Sequence, residues 1–185
     1  MKVDRSVSPR ERILAAADKL FYSQGIRAVG VDLVADEAEV SKRTLYAHFP
    51  SKDELIAAYL TARFRNMVPS DAPAREQILG YYDYLERAFS RPDFRGCPYV
   101  NAVTELGDPK HAAAGIALQY KRERRGWFKA LLQRIGVRDA EAVATQLQLL
   151  GEGALSAWLV QGDASVARSA KAAAEVLLAA AARKR

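Results

Sequence analysis

Hydrophobic residues recur along this chain at helical spacing, and no segment alternates apolar and polar residues over the length of a strand. Alanine and leucine, the strongest helix formers, fill most of the apolar positions. The first stripe on one helix face comprises Ile13, Leu14, Ala17, Leu20 and Phe21. The pattern therefore predicts an all-α protein.

Capping signals divide the pattern into about nine helices. Ser8 and Glu11 form a capping box with Pro9 at the first helical position, and Gly25 ends that helix. Similar signals predict later helices over about 31–38, 42–48, 52–67, 74–90, 98–106, 109–136, 140–161 and 164–182. The stretch from Pro69 to Pro73 is the one plausible linker.

Two short helices follow a longer amphipathic one between Pro9 and His48, and this arrangement is typical of a helix-turn-helix. In that motif the second short helix enters the major groove of DNA. Leu45 and Phe49 lie four residues apart and face inward, whereas Lys42, Arg43 and Tyr46 share the outward side. We therefore predict a DNA-binding domain over residues 1–52 and a second helical domain over 53–185.

The window 40–52 contains three cations and no acid, with one tyrosine among them. Arg43 is the first candidate to read a base, because guanidinium can bond guanine O6 and N7 together, and Lys42 is the second. Thr44 would contact a thymine methyl or a phosphate. Tyr46, His48 and Lys52 are predicted phosphate contacts, and Ser41, which caps the recognition helix, is also a predicted DNA-binding residue. The alternative is an ordinary solvated helix face.

This region resembles the DNA-binding domain of TetR-family transcriptional regulators. The first helix matches through Ile13, Phe21 and Gly25, and the string VSKRTLYAHFPSK from Val40 to Lys52 matches the family's third helix and the start of its fourth. Two positions depart from the family pattern. Gly30 replaces the usual hydroxyl residue that caps the second helix. Glu39 replaces the usual glycine of the turn, which destabilises the turn by about 1 to 2 kcal/mol if the left-handed conformation is kept.

The formal net charge of +6 and the pI of about 9.5 raise the expectation of a polyanionic partner. Counted by region, however, residues 1–52 carry +2, residues 53–110 carry −2 and residues 111–185 carry +6. Most of the excess therefore lies outside the predicted DNA-binding domain. The DNA-binding prediction depends on the local window 40–52 and not on the total charge.

The C-terminal part contains a long apolar segment over 142–162, with Glu152 as its single charged residue. A helix this apolar must be buried on most sides. The resemblance implies that the last two helices form a homodimer interface, which a palindromic operator of double-stranded DNA would require. The alternative is an intramolecular bundle.

If the family mechanism holds, residues 53–185 form a helical effector-binding and dimerisation domain whose middle helices bind a small-molecule effector. Candidate lining residues are aromatic or offer a polar atom that could orient a ligand, although an aromatic at helical spacing is more often core. They are Tyr82, Tyr99, Asn101, Glu105, Trp127, Phe128 and Trp158. Cys97 is either a thiol sensor or, more commonly for a lone cysteine, a small buried residue.

The composition of the chain excludes several classes of protein. One cysteine excludes an intramolecular disulfide, and with two histidines no Cys/His zinc site can form within one chain, so we expect no cofactor or metal. The charged N-terminus is unlike a signal peptide and no segment is long enough to span a membrane, which favours a cytoplasmic location. We expect a ligand-responsive repressor. The alternatives are an all-helical binding protein or enzyme using the same cavity, and a DNA packager indifferent to sequence.

Overall fold

The computed structural model describes residues 7–64 and 71–183, and within these ranges the regular structure consists of nine α-helices. The predicted all-α fold is confirmed. In chain order the helices are α1 (Pro9–Gln24), α2 (Val31–Glu37), α3 (Lys42–His48), α4 (Lys52–Ala62), α5 (Ala74–Phe89), α6 (Pro98–Leu106), α7 (Ala112–Arg134), α8 (Ala140–Gln161) and α9 (Val166–Arg183).

Helix α1 begins as its capping box predicts. The Ser8 hydroxyl oxygen accepts a hydrogen bond from the Glu11 N–H at 3.3 Å, and the Glu11 carboxylate accepts from the Ser8 N–H at 3.0 Å. The hydrogen bond from the Ser8 hydroxyl is the main reason why the pKa of Glu11 is lowered. Two orphan N–H groups of the first turn are thereby satisfied by residues three apart in the sequence.

The chain divides into two compact units. The first unit comprises residues 1–65 and 97–120, and so contains α1 to α4, α6 and the beginning of α7. Its core is formed by side chains such as Ile13, Leu45 and Leu60. At the end of α4 the Arg63 guanidinium makes an ion pair with Asp18 of α1 and lies 4.1 Å from the centroid of the Tyr22 ring.

The second unit comprises residues 66–96 and 121–185, and so contains α5, most of α7, α8 and α9. Helix α5 packs against both α8 and α9 around a separate core that includes Ile78, Phe128 and Leu147. Gly151 of α8 lies so close to Tyr81 of α5 that an added Cβ would come within 2.8 Å of the tyrosine ring. The predicted functional boundary between residues 52 and 53 stays a prediction. The compact units divide the chain at other positions, because α4 and α6 share the core of the first unit.

Two predicted helix bounds are wrong. Helix α4 ends at Ala62, and the Arg63 N–H that follows bonds the Tyr59 carbonyl. The predicted end at Met67 lies outside the described residues. Pro69 and Ser70 of the predicted linker also lie outside them. Helix α7 begins at Ala112 instead of Pro109, because the Asp108 carboxylate accepts from the Lys110 N–H and holds a turn.

His111 has contacts that the sequence did not indicate. Its Nδ1 accepts a hydrogen bond from the Ala113 N–H at 3.0 Å, so the ring caps the start of α7. Its Nε2 lies 3.4 Å from Oδ1 of Asp53, in the first turn of α4. The histidine therefore joins the starts of two helices of the first unit.

Candidate nucleic-acid interface

The turn between α2 and α3 has the geometry of a Schellman motif. The Val40 N–H bonds the Ala35 carbonyl at 3.0 Å and the Glu39 N–H bonds the Asp36 carbonyl at 3.0 Å. Glu39 has φ of 50°, the left-handed conformation that glycine usually supplies at this position. The sequence therefore keeps the turn of a helix-turn-helix and accepts a strained residue in it.

Helix α3 is fixed by its cap and by two buried side chains. The Ser41 Oγ accepts a hydrogen bond from the Thr44 N–H at 3.0 Å and shares a second hydrogen bond with the Thr44 hydroxyl at 2.8 Å. Leu45 and Phe49 are buried in the core of the first unit, as their spacing predicts. The helix is thus held from one side, and its other side faces solvent.

The exposed side of α3 carries most of the predicted DNA contacts. Arg43 is exposed and forms no ion pair or hydrogen bond with any described residue. Tyr46 is 40% exposed, and His48 is exposed in the last turn. A guanidinium, a phenol and an imidazole on one short helix offer hydrogen-bond donors to phosphates and base edges.

Lys42 forms an ion pair with Asp32 of α2. Its Nζ lies 2.8 Å from Oδ1 and 3.2 Å from Oδ2 of Asp32 on α2, and both side chains are largely exposed. The hydrogen bond to Asp32 raises the pKa of the Lys42 ammonium, which keeps it protonated. Asp32 was not among the predicted site residues, because an acid in the first turn of a helix has an ordinary role there.

Lys52 stands apart from the others at the first position of α4. It is half-buried, and this burial lowers the pKa of its ammonium, while the charges of Asp53 and Glu105 oppose the shift. The structure therefore brings Ser41, Lys42, Arg43, Thr44, Tyr46 and His48 together on α3 and its cap, and places Lys52 on the next helix.

Glu105, predicted to line an effector pocket, contacts the loop between α1 and α2. Its Oε2 accepts a hydrogen bond from the Arg27 N–H at 3.1 Å. The same carboxylate lies against Gly25, where an added Cβ would be 3.0 Å from Oε2. Gly25 has φ of +96°, so it supplies both the positive-φ backbone conformation and the space for this contact.

The other predicted pocket residues of α6 also lie in the first unit. Tyr99 is buried, stacks on Tyr120 with ring centroids 3.9 Å apart, and donates from its hydroxyl to the Leu60 carbonyl at 3.3 Å. Asn101 is half-buried on the same helix. Cys97 is the half-buried N-cap residue of α6 and makes no side-chain cap hydrogen bond.

The remaining four predicted pocket residues pack in the second unit. The Tyr82 hydroxyl donates to the Leu147 carbonyl at 2.7 Å, and Phe128 is fully buried beside Trp127, with ring centroids 4.9 Å apart. Trp158 stacks on Phe89 with centroids 5.2 Å apart. The seven candidates are therefore divided between the two units, and those with described ring contacts already have core partners.

An apolar groove runs between α8 and α9 in the second unit. None of the seven predicted pocket residues lines it. Its lining is Gln146, Leu149, Leu150, Gly153, Ala154, Ala157, Val166, Ser169, Ala170, Ala173 and Leu177. Large apolar side chains on the same two helices are exposed, among them Leu159, Val160 and Val176. This surface suits an apolar partner.

The basic segment over residues 121–125 of α7 is partly paired with acids of the second unit. Lys121 makes an ion pair with Glu152, and Arg125 lies 3.0 Å from Glu141. In the part of the chain that the structure describes, no helix is long and apolar enough to cross a membrane. The described residues also contain no group of three or more side chains suited to hold a metal ion.

The fold and the exposed cations of α3 define a helix-turn-helix protein that binds DNA. Residues 13–59 match the family model described as bacterial regulatory proteins, tetR family. A TetR-type regulator from Streptomyces avermitilis is 36% identical, with a TM-score of 0.85 over 95% of this chain and 98% of its own. The TetR-family regulator SCO4454 from Streptomyces coelicolor is 31% identical, with a TM-score of 0.81 over 95% and 96% of the two chains.

A curated relative covers most of the chain as well. The HTH-type transcriptional regulator YjdC from Escherichia coli is 28% identical over 177 residues, which are 91% of this chain and 93% of its own. The chain belongs to the TetR family of transcriptional regulators. It is a DNA-binding regulator and not an enzyme, so the alternative of a helical enzyme is not favoured.

Proposed function

We propose that this protein is a homodimeric repressor that reads a palindromic operator with α3 and leaves it when a small-molecule effector binds the C-terminal domain. The observation that carries the DNA-reading part is the exposed side of α3, where Arg43 is free of described partners beside Tyr46 and His48. Repression is the usual mode of the family and enters the proposal on that ground.

Arg43 is the proposed base-reading residue. Its guanidinium is always charged and can bond O6 and N7 of a guanine together. Tyr46, His48 and Lys52 are proposed to bind phosphates, and they would set the register of the helix on the duplex. The hydroxyls of Ser41 and Thr44 bond each other, so we propose that they hold the start of α3 and contact the backbone of DNA secondarily.

The proposed dimer forms through α8 and α9. Val160 is 86% exposed and Val176 is 69% exposed, and an apolar groove lies between their helices. A second copy of the same surface would remove these side chains from water. The dimer would then present two copies of α3 to half-sites about one DNA turn apart, roughly 34 to 36 Å.

The effector is proposed to change the population of the DNA-competent state. It would bind in the C-terminal domain and displace α4, which follows the recognition helix directly in the chain. Three of the seven predicted pocket residues lie in the first unit and four in the second, so they do not form one pocket within a single unit.

Titration of the full-length protein against two duplexes tests this function. One duplex carries the DNA flanking the protein's own gene and the other carries the same bases scrambled, both at one fixed salt concentration. We expect the native duplex to bind more tightly, and Arg43→Ala to weaken it by about 10- to 100-fold with a smaller effect on the scrambled one. Arg122→Ala, which removes an exposed arginine from α7, is the matched control for charge.

Two outcomes would contradict the proposal. Equal affinity of the wild-type protein for both duplexes would mean that it packages DNA without reading sequence. Equal weakening of both duplexes by Arg43→Ala would make Arg43 a phosphate contact.

A further inference from the structure

The ion pair between Asp32 and Lys42 places an acid beside the exposed side of α3 that is proposed to read DNA. Asp32 belongs to α2 and Lys42 to α3, so the pair joins the two short helices of the helix-turn-helix. The side chains are 68% and 56% exposed, respectively. Ion pairs this exposed add little to stability, so the fold alone does not explain the placement.

While Lys42 keeps this ion pair, Asp32 approaches DNA together with it. The two carboxylate oxygens lie 2.8 and 3.2 Å from the Lys42 Nζ, and Lys42 is on the same exposed side of α3 as Arg43. A carboxylate alone would be repelled by the phosphates. The ammonium neutralises it, so that the pair approaches the duplex without net charge.

The pair offers an acceptor beside donors. A carboxylate has about four lone-pair sites and an ammonium has three N–H donors, so each keeps free capacity after bonding the other. In the major groove this matches an exocyclic amino group next to an acceptor, which occurs at cytosine N4 beside guanine O6 and at adenine N6 beside N7. A carboxylate facing only acceptors is disfavoured by repulsion, which adds selectivity.

We propose that Asp32 is a specificity-determining residue that, held by Lys42, accepts a hydrogen bond from an exocyclic amino group of cytosine or adenine in each half-site. The inference rests on the proposed reading of an operator by α3. It changes the role of Lys42, which acts as the partner that orients and neutralises Asp32 as well as a contact to DNA.

Selection from a pool of random-sequence duplexes tests the proposal, using the full-length wild-type protein and the variants Asp32→Ala and Asp36→Ala. Asp36 lies one turn further along α2, is exposed and forms no ion pair with a described residue, so its variant removes the same charge without releasing Lys42. We expect the wild type and Asp36→Ala to enrich the same sites. Asp32→Ala should lose the preference at one base pair in each half-site.

Affinities for duplexes altered at that base pair give the size of the effect. Wild-type discrimination there should be about 5- to 150-fold, and it should disappear in Asp32→Ala. Lys42→Met should lose the same preference, since its loss leaves the carboxylate unneutralised. Asp32→Asn keeps the size of the side chain and should shift the preference toward adenine, which an amide bonds in a bidentate manner.

Unchanged base preferences in Asp32→Ala and Asp32→Asn at every position would overturn the proposal and leave Asp32 as a residue of the first turn of α2. Enrichment of no sequence by the wild-type protein would instead contradict the proposed operator reading itself. The two failures are therefore distinguishable.

Discussion

The recognition helix α3 and the long helix α8 both expose side chains that a partner can bind, but the chemistry of these side chains is opposite. Helix α3 exposes Arg43, Tyr46 and His48, whereas α8 exposes Leu149, Leu159 and Val160. Polar side chains on α3 cost nothing when the protein is free in water. Apolar side chains on α8 expose apolar surface to water, and burying them against another apolar surface is favourable.

The two helices also differ in how they are held in place. Helix α3 depends on a local cap and on two buried residues, Leu45 and Phe49. Helix α8 depends on close contact with α5, where Gly151 meets Tyr81 and the Leu147 carbonyl accepts from Tyr82. Substitutions on the exposed side of α3 should therefore change binding alone. Substitutions on α8 should change assembly on one face and folding on the other.

The largest expected effect is on the exposed face of α8. Leu149, which is 63% exposed and lines the groove, becomes a charge in Leu149→Glu. An unpaired charge in an apolar interface should raise the dimer dissociation constant roughly 100-fold or more. Sedimentation equilibrium measures this constant, and operator affinity should fall with it.

Ala130→Glu is the control, because it adds the same charge at an exposed position of α7. It should remain dimeric. A Leu149→Glu protein that is as dimeric as this control would mean that α8 and α9 do not form the interface.

A smaller effect is expected on the buried face of the same helix. In Gly151→Ala the new Cβ would lie 2.8 Å from two atoms of Tyr81, so the ring must shift. We expect a loss of about 1 to 3 kcal/mol in the free energy of unfolding. Urea unfolding followed by tryptophan fluorescence measures it, since Trp127 and Trp158 both lie in the second unit.

Gly126→Ala is the matched control, because a Cβ at that helical position meets no atom within 4 Å. It should gain up to about 1 kcal/mol from helix propensity. If the two variants changed stability alike, the close contact between α5 and α8 would not constrain the fold.

The smallest effect concerns the turn that precedes α3. Glu39 is exposed and has φ of 50°, so Glu39→Gly removes left-handed strain and should stabilise the first unit by up to about 1 kcal/mol. Slower hydrogen exchange of the backbone N–H groups of α2 and α3 would show it.

Asp36→Gly places the same residue type inside α2 and should have the opposite sign, a loss of about 0.5 to 1 kcal/mol. Faster exchange in Glu39→Gly would show that the strain assigned to this residue is not relieved by glycine.

The helices that carry local signals were predicted well. Ser8, Ser41, Ser51 and Asp139 each accept a hydrogen bond from a backbone N–H in the first turn that follows, as their sequence patterns indicate. An N-cap hydrogen bond joins residues only two or three positions apart, so the local sequence is enough to predict where the helix begins. The end of α4 and the start of α7 were predicted less well. At α7 the Asp108 carboxylate accepts from the Lys110 N–H and holds a turn where a helix was expected.

The predicted effector-pocket residues have contacts that no local sequence pattern indicates. Tyr99 and Tyr82 are predicted pocket residues because each is aromatic and carries a polar atom. In the structure each hydroxyl donates to a main-chain carbonyl of another helix, at Leu60 and Leu147 respectively. Glu105 bonds the Arg27 N–H, which is 78 positions away in the sequence. No local pattern distinguishes a tyrosine that faces a ligand from one that faces a neighbouring helix.

Local sequence patterns were sufficient to predict the helical class, the helix-turn-helix and the exposed polar face of α3, because caps and helical periodicity act within a few residues. The tertiary structure alone decided that Lys42 pairs with Asp32, that Glu105 meets the loop after α1, and that Gly151 fits against Tyr81. These contacts depend on how separate helices pack, and the packing of distant segments is set by the shape of the whole core.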